Sequence, residues 1–279
     1  MKLINISDAL LFGNKHLKKI SSNYKNETIW ILSKCINKTY TEIILNHNHN
    51  INQDQLSDYK KLILRRENHE PLQYILQNVL FYGRKFNILK NVFICRPETE
   101  VLIDLLKSLN RKFSNVLEVG SGLGVLPITM ELENISTKIT SIDINKHSIS
   151  ASIKNAKSHK CKNINFVKEN LFNFRPEKKF DLIISNPPYI PIQDIRNLDI
   201  GVKLFDPINS LTDYKDGLSF YRFFLQQSEK YLEDDGLIVF EFGGFRQIND
   251  IKRILKLSNY KYFIYNDLNK EPRFVILEK

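Results

Sequence analysis

Between Ile4 and about Asn68, apolar residues recur every three or four positions. Ile29, Leu32, Cys35 and Ile36 form one such set, Tyr40, Ile43 and Ile44 a second, and Leu56, Tyr59, Leu62 and Ile63 a third. This is the period of helices that bury one stripe. Asp54 stands just before the third set and is expected to cap its helix. The stretch has no glycine between Gly13 and Gly83 and no spacing suited to catalysis. Residues 1–72 therefore read as a helical packing or docking domain. Residues 73–95 follow as short β-rich runs punctuated by Gly83 and Asn91, the pattern of a hairpin connector. Arg96-Pro97-Glu98-Thr99-Glu100 then opens a helix, because proline in the first turn and acidic residues there both suit a helix N-terminus.

From Asn115 the period changes. NVLEVG, TKITSID, NINFVKEN, FDLIISN and GLIVFEF read as strands. Between and after them lie helical segments: PITMEL, HSISASIKNAK, LSFYRFFLQQSEKYL and INDIKRILKLS. KYFIYND and RFVILEK close the chain as a hairpin. Strands alternating with helices predict an α/β fold with a parallel sheet flanked by helices, over residues 96–279. The length of 279 residues agrees with two domains, at roughly 150 residues each.

Composition narrows the class without naming it. Apolar residues make up 42% and charged residues 26%, which excludes collagen-like and wholly disordered chains. The apolar runs fall short of the roughly 20 residues of a membrane span, and the N-terminal stretch lacks the apolar core of a signal peptide. Lys and Arg exceed Asp and Glu by 41 to 31, a net +10 that suits polyanionic neighbours or simply a lysine-rich solvated surface. Cys35, Cys95 and Cys161 are far apart and odd in number, so buried free thiols in a reducing cytosol are expected. His47 and His49 sit in an Asn-rich stretch with turn composition, and no metal pattern is apparent.

Candidate chemistry gathers at the carboxyl ends of the predicted strands. Glu118-Val119-Gly120-Ser121-Gly122-Leu123-Gly124 links the first strand to a helix, and its glycines allow a sharp turn and close approach of a ligand. Dinucleotide sites use a similar loop. Glu118, however, is expected to repel a pyrophosphate and to tolerate a cationic sulfonium and an amino-acid ammonium. Asp143 ends the second strand about twenty residues further on, where a carboxylate accepts ribose hydroxyls; its plainer reading is a helix cap before Lys146. Asn170 and Leu171 follow the third strand and suit the edge and face of an adenine, or an ordinary turn. Asn186-Pro187-Pro188-Tyr189 follows FDLIIS and belongs to the same crevice. A planar amide or exocyclic amine is a poor nucleophile, because its lone pair is conjugated. The Asn186 side-chain oxygen and the Pro187 carbonyl can hold its two N–H protons and aim the nitrogen at a methyl group, while Tyr189 packs on its face.

The motifs EPLQYIL, FYG, RPETE, EVGSGLG, Ile142-Asp143, ISNPPYIP, Asp206-Pro207, DGL at 216–218 and FEFGG followed by Gln247 together resemble the protein-(glutamine-N5) methyltransferases of peptide chain release factors. The resemblance runs from about Glu70 to the C-terminus. It implies a seven-stranded, Rossmann-like S-adenosylmethionine-dependent methyltransferase domain joined by a β-hairpin to an N-terminal helical domain that recognises substrate. It further implies S-adenosyl-L-methionine as cofactor, bound by Glu118, Gly120, Ser121, Gly122, Leu123, Gly124, Asp143, Asn170, Leu171 and Asn186. Catalysis would fall to Asn186, Pro187 and Tyr189, with the substrate glutamine held by Asn186, Pro187, Pro188 and Tyr189. The implied partners are class I release factors in the cytoplasm, with the Gly-Gly-Gln glutamine methylated; neither metal, membrane nor nucleic acid is required. NPPY is shared with DNA adenine and rRNA guanine methyltransferases, so an exocyclic-amine methyltransferase is the runner-up. A non-catalytic RNA- or ribosome-binding protein on the same fold is the third reading.

Overall fold

The computed structural model describes residues 4–279, so the first three residues of the expected helical domain lie outside the described residues. Two compact units are present. One comprises the chain up to Asn78 together with Asp199–Phe205; the other comprises Val79–Leu198 and Asp206–Lys279.

The first unit is built on α1 (Ile6–Leu17), α2 (Tyr24–Ile36), α3 (Tyr40–Leu45), α4 (Gln53–Glu67) and α5 (Leu72–Leu76), with a short antiparallel pairing of β1 (Ile4–Asn5) and β2 (Asn50–Ile51). Most of the predicted periodic positions face inward: Leu32, Ile36, Ile43, Leu56, Tyr59 and Ile63 are buried together, with Ile29, Cys35 and Leu62 partly buried against them, whereas Ile44 is exposed. Three helices start with reciprocal capping boxes, Asn5 with Asp8, Thr39 with Glu42 and Asn52 with Gln55. The cap of α4 is thus Asn52 and not Asp54, which lies in its first turn. Inside the unit, Arg66 grips the buried Glu27 with Nε–Oε2 2.7 Å and Nη2–Oε1 3.3 Å. Helix α5 straddles the 72/73 boundary expected from sequence, and the expected connector resolves into three parts. These are α5, a hairpin of β3 (Asn78–Phe81) and β4 (Arg84–Asn87), and an irregular run to Cys95.

In the second unit, a 3₁₀ turn over Pro97–Glu100 leads into α6 (Val101–Ser108). Then follow β5 (Val116–Val119), α7 (Val125–Leu132), β6 (Ile139–Asp143), α8 (Lys146–Ser158), β7 (Ile164–Lys168) and β8 (Phe180–Ser185). A short α9 (Ile200–Phe205), which belongs to the first unit, precedes α10 (Ser219–Tyr231), β9 (Leu232–Glu241), α11 (Ile248–Leu255), β10 (Lys261–Asn266) and β11 (Pro272–Glu278). The strands form one seven-stranded sheet in the order β10-β11-β9-β8-β5-β6-β7. Five run parallel, and β11 is antiparallel to both β9 and β10, so the sheet is mixed. Helix α11 carries the chain from β9 past one strand position to β10, and the short closing hairpin then returns β11 antiparallel into the gap between them. Central strands carry near-continuous apolar runs because both faces are covered; Leu182, Ile183 and Ile184 of β8 are fully buried. Strand β5 pairs with β6 on one side and β8 on the other, so the chain reverses its direction of travel across the sheet between β5 and β8. Ligand crevices in open α/β sheets form at such a switch point, beyond the carboxyl ends of the strands.

Candidate active site

A cavity of about 400 Å³ opens at this switch point. The ends of β5 and β8 are tied together, since the Ser185 hydroxyl donates to the Val119 carbonyl at 2.7 Å. The loop after β5 is pinned to β6 by the Gly120 N–H on the Ile142 carbonyl at 2.8 Å and by the Gly122 N–H on Asp143 Oδ2 at 3.1 Å. Gly124 then has to be a glycine. Its φ is +79°, and an added Cβ would lie 2.9 Å from the Ser152 Cβ of α8.

Of the residues expected to bind a cofactor, Gly120, Gly122, Asp143, Asn170, Leu171 and Asn186 line the cavity. Asp143 presents its carboxylate there while accepting from Gly122 and, at 2.8 Å, from the Asn145 N–H. Burial raises its pKa, and those two amides and the Ser148 hydroxyl offset part of the rise. It therefore serves the turn before α8 and the cavity at once; the helix cap itself is Asn145, which accepts from His147 N. Ser121, Leu123 and Gly124 are not on the cavity wall: Ser121 lies beneath the loop, 2.5 Å from the Ser141 hydroxyl, and the Leu123 carbonyl accepts from Asn155.

Glu118 departs most from expectation. It is 1% exposed, accepts a hydrogen bond from Ser141, and lies off the cavity wall. Burial, with the nearby Asp143 adding to it, raises its pKa well above the ordinary carboxylate value. It supports the loop from below instead of lining the cavity. Asn170 faces the cavity, but its Oδ1 accepts from the Phe172 N–H at 3.0 Å, as a turn residue does.

Asn186, Pro187 and Pro188 also line the cavity. The loops after β5 and β8 come close here: a Cβ on Gly120 would be 3.7 Å from the Asn186 carbonyl oxygen. Asn186 Nδ2 donates to Thr99 Oγ1 at 3.2 Å, and Thr99 in turn donates to Glu241 Oε2 at 2.8 Å. Tyr189 is not part of the wall. It packs against the core of the sheet, and burial raises its pKa, as does the nearby Glu241. Its carbonyl is held by Gln247 Nε2 at 3.1 Å; the same nitrogen donates to the Gly217 carbonyl at 3.1 Å, while Gln247 Oε1 accepts from the Gly243 N–H at 2.8 Å. Gln247 thereby staples the segment after β8 to two loops.

Several contributors were not singled out from sequence. Phe172 and Phe220 form an aromatic wall, 5.5 Å apart, with Phe223 edge-on to Phe172 at 5.2 Å. Asp213 lines the cavity and organises its own loop, accepting from the Lys215, Gly217 and Ser219 amides at 2.8, 2.9 and 3.0 Å. Burial pushes its pKa up, but the Ser219 hydroxyl and these three amides outweigh it and leave the carboxyl below its ordinary value. Phe93, also on the wall, lies under the Arg96 guanidinium, which is paired with Asp206 at 2.8 Å. The three cysteines are free and partly exposed instead of fully buried. Burial pushes the Cys95 thiol up to about 12 and the Cys35 and Cys161 thiols up to about 11.

Comparison with known proteins bears on what this cavity serves. Residues 94–206 match the methyltransferase small domain family, and residues 8–76 match the PrmC N-terminal domain family. A release factor glutamine methyltransferase of Buchnera aphidicola is 32% identical over 265 residues, covering 94% of this chain and 93% of that protein. The chain belongs to the release factor glutamine methyltransferase family. It is accordingly a methyltransferase. A Fusobacterium nucleatum relative of the same description is 37% identical over 231 residues, covering 81% of this chain and 65% of that one. Among solved structures, a methyltransferase from Pyrococcus furiosus has the same fold, with a TM-score of 0.53, 17% identity, and coverage of 80% of this chain and 98% of that one. No helix among the described residues is long and apolar enough to cross a membrane.

Proposed function

We propose that this enzyme methylates the side-chain amide nitrogen (N5) of the glutamine in the Gly-Gly-Gln motif of class I peptide chain release factors, with S-adenosyl-L-methionine as donor. The observation that carries this reading is that one cavity is lined both by the glycine loop and Asp143 and by Asn186-Pro187-Pro188. Family membership adds the substrate class, since the relatives are described as release factor glutamine methyltransferases.

The residues present fit the donor. Val119, Ile142, Leu171 and Phe172 supply the apolar walls a nucleoside needs, and Asp143 is a carboxylate suited to a ribose diol. Gly120 and Gly122 let the backbone approach without a side chain between. When bound, the donor supplies an electrophilic methyl group on a sulfonium.

The chain's own residues act on the acceptor. A glutamine amide has two N–H protons and a conjugated lone pair. Asn186 Oδ1 accepts one proton and the Pro187 carbonyl the other, which fixes the amide plane and favours positive charge developing on nitrogen. Proline at 187 and 188 removes two backbone N–H groups that would compete as donors at this wall and stiffens the turn. Fixing the nitrogen in line with the methyl removes much of the orientational entropy from the barrier. No proton need leave before transfer; the cationic product sheds it afterwards. The reading carries with it a cytoplasmic location, where peptide release takes place.

Radiolabelled S-adenosylmethionine, offered with purified release factor, DNA and RNA in parallel, tests the assignment. Label on the release factor is the expected result. Label on a nucleic acid alone would replace it with the exocyclic-amine reading that NPPY shares.

A further inference from the structure

The Asn186 side chain carries a donor and an acceptor on one flat group of nearly equal ends, and only the acceptor serves a glutamine N–H. Something must decide which end meets the cavity. Thr99 has one hydroxyl proton and gives it to Glu241 Oε2 at 2.8 Å. Its oxygen can then only accept, and it does so from Asn186 Nδ2 at 3.2 Å. We infer that Thr99 and Glu241 are positioning residues that lock the Asn186 amide with Oδ1 turned toward the acceptor substrate. This rests on the reading of Asn186 given above and concerns how that residue is prepared, not whether it is used.

Glu241 is a costly choice for packing alone. It is 2% exposed, and burying a carboxylate is strongly unfavourable unless it is paired and hydrogen-bonded. Burial pushes its pKa up to about 7, against the Thr99 hydroxyl, Arg273 and the Asn186 amide, which lower it; Glu98 raises it further. The groups facing it are few. Arg273 on β11 is itself shared with Asp267 at 3.2 Å and Glu271 at 2.6 Å. Glu98 and Cys95 lie on and just before the 3₁₀ turn that carries Thr99, and Tyr189 follows β8. Tyr221 of α10 donates to the Glu241 backbone carbonyl at 2.8 Å.

Ionised, Glu241 is acceptor-only, so the Thr99 proton is committed and Asn186 has one orientation. Protonated, it donates to Thr99 Oγ1 instead, which frees the Thr99 proton and removes the preference for the Asn186 amino group. Methyl transfer should therefore rise with pH through about 7, the value to which Glu241 is pushed.

Two measurements on the full-length chain test this. In single-turnover methylation of a release factor at saturating S-adenosylmethionine, Thr99→Val should slow transfer by about 10- to 100-fold, the range seen when groups that orient a reacting residue are removed. Calorimetric affinity for S-adenosylmethionine should stay unchanged. Thr99→Ser, which keeps the hydroxyl, should restore most of the rate, and Glu241→Gln should abolish the rise through pH 7. Independently of turnover, the Asn186 side-chain NH₂ resonance in ¹⁵N-Asn-labelled chain, assigned by its loss in Asn186→Ala, should titrate near pH 7. That titration should vanish in Glu241→Gln. A wild-type rate in Thr99→Val, or an Asn186 resonance indifferent to pH, overturns the inference. If the wild type methylates no release factor, the substrate assignment fails, and the resonance still decides the orientation of Asn186.

Discussion

At the scale of single residues, the site divides into groups that touch ligands and groups that hold them. Asp143, on the cavity wall, is of the first kind under the proposed function. Asp143→Ala should weaken S-adenosylmethionine binding by about ten- to a hundred-fold, since charge-assisted hydrogen bonds of this type contribute about 1.5–3 kcal/mol; unchanged affinity by calorimetry would remove it from the donor site. Asn186→Ala should lower single-turnover methylation by about 10²–10³, by analogy with deleting one preorganised partner of a developing charge. Its cofactor affinity should fall far less; a turnover loss explained wholly by weaker cofactor binding would move Asn186 into the donor site. Both residues were legible in the sequence because each stands at a strand end within a short motif. Glu118 shows the limit. Its position before the glycines was plain, but whether its carboxylate points into the cavity or under the loop depends on which face of β5 it occupies, and spacing does not encode that. Thr99 and Glu241 were hidden for another reason: 142 positions separate them, and only the packing of the 3₁₀ turn that carries Thr99 against the end of β9 brings them within a hydrogen bond.

At the scale of elements, the period of apolar residues located the helices and strands well, and their ends less well. Asp54 and Asn52 are both good caps by composition. The capping box with Gln55 decides for Asn52, whose backbone N–H is 3.0 Å from Gln55 Oε1. Helix α9 escaped notice because it is short and belongs by packing to the first unit, where a Cβ on its Gly201 would lie 2.8 Å from the His69 carbonyl oxygen. The loop carrying Gly217 shows what element positioning demands. Its φ is +78°, and an added Cβ would lie 2.0 Å from the Tyr189 carbonyl oxygen, which Gln247 also holds. Gly217→Ala should destabilise the fold by about 2–4 kcal/mol through strain and forced movement of the segment after β8. It should slow methylation as well, because Asn186 and Pro187 ride on that segment. Urea unfolding with the midpoint unmoved would show that the loop yields at little cost.

At the scale of the whole molecule, buried carboxyls set how stability responds to pH. Glu241 is pushed up to about 7 in the folded chain, above the ordinary carboxylate value it returns to on unfolding. A raised pKa means that the folded state prefers the proton. Its contribution is complete below the unfolded value and is lost as pH rises through about 7. Glu118 and Asp143 are raised by burial and act in the same direction. Between pH 5.5 and 8, Glu241→Gln should therefore gain about 2 kcal/mol relative to the wild type. Parallel pH profiles in urea denaturation would show that Glu241 titrates normally. The change from helical to α/β periodicity is plain in the sequence near Asn115, but the two units divide earlier, between Asn78 and Val79, and nothing local marks Asp199–Phe205 as a segment that packs with the first unit.

The central claim, that the acceptor is a glutamine amide presented to Asn186 and Pro187, is tested most directly by locating the methyl group. Purified release factor is incubated with the wild-type chain and S-adenosylmethionine, digested, and sequenced by mass spectrometry, with Asn186→Ala alongside. A single methyl on the glutamine of Gly-Gly-Gln, present with the wild type and nearly absent with Asn186→Ala, is the predicted result. A methyl on any other side chain, or an equal yield with Asn186→Ala, would contradict it.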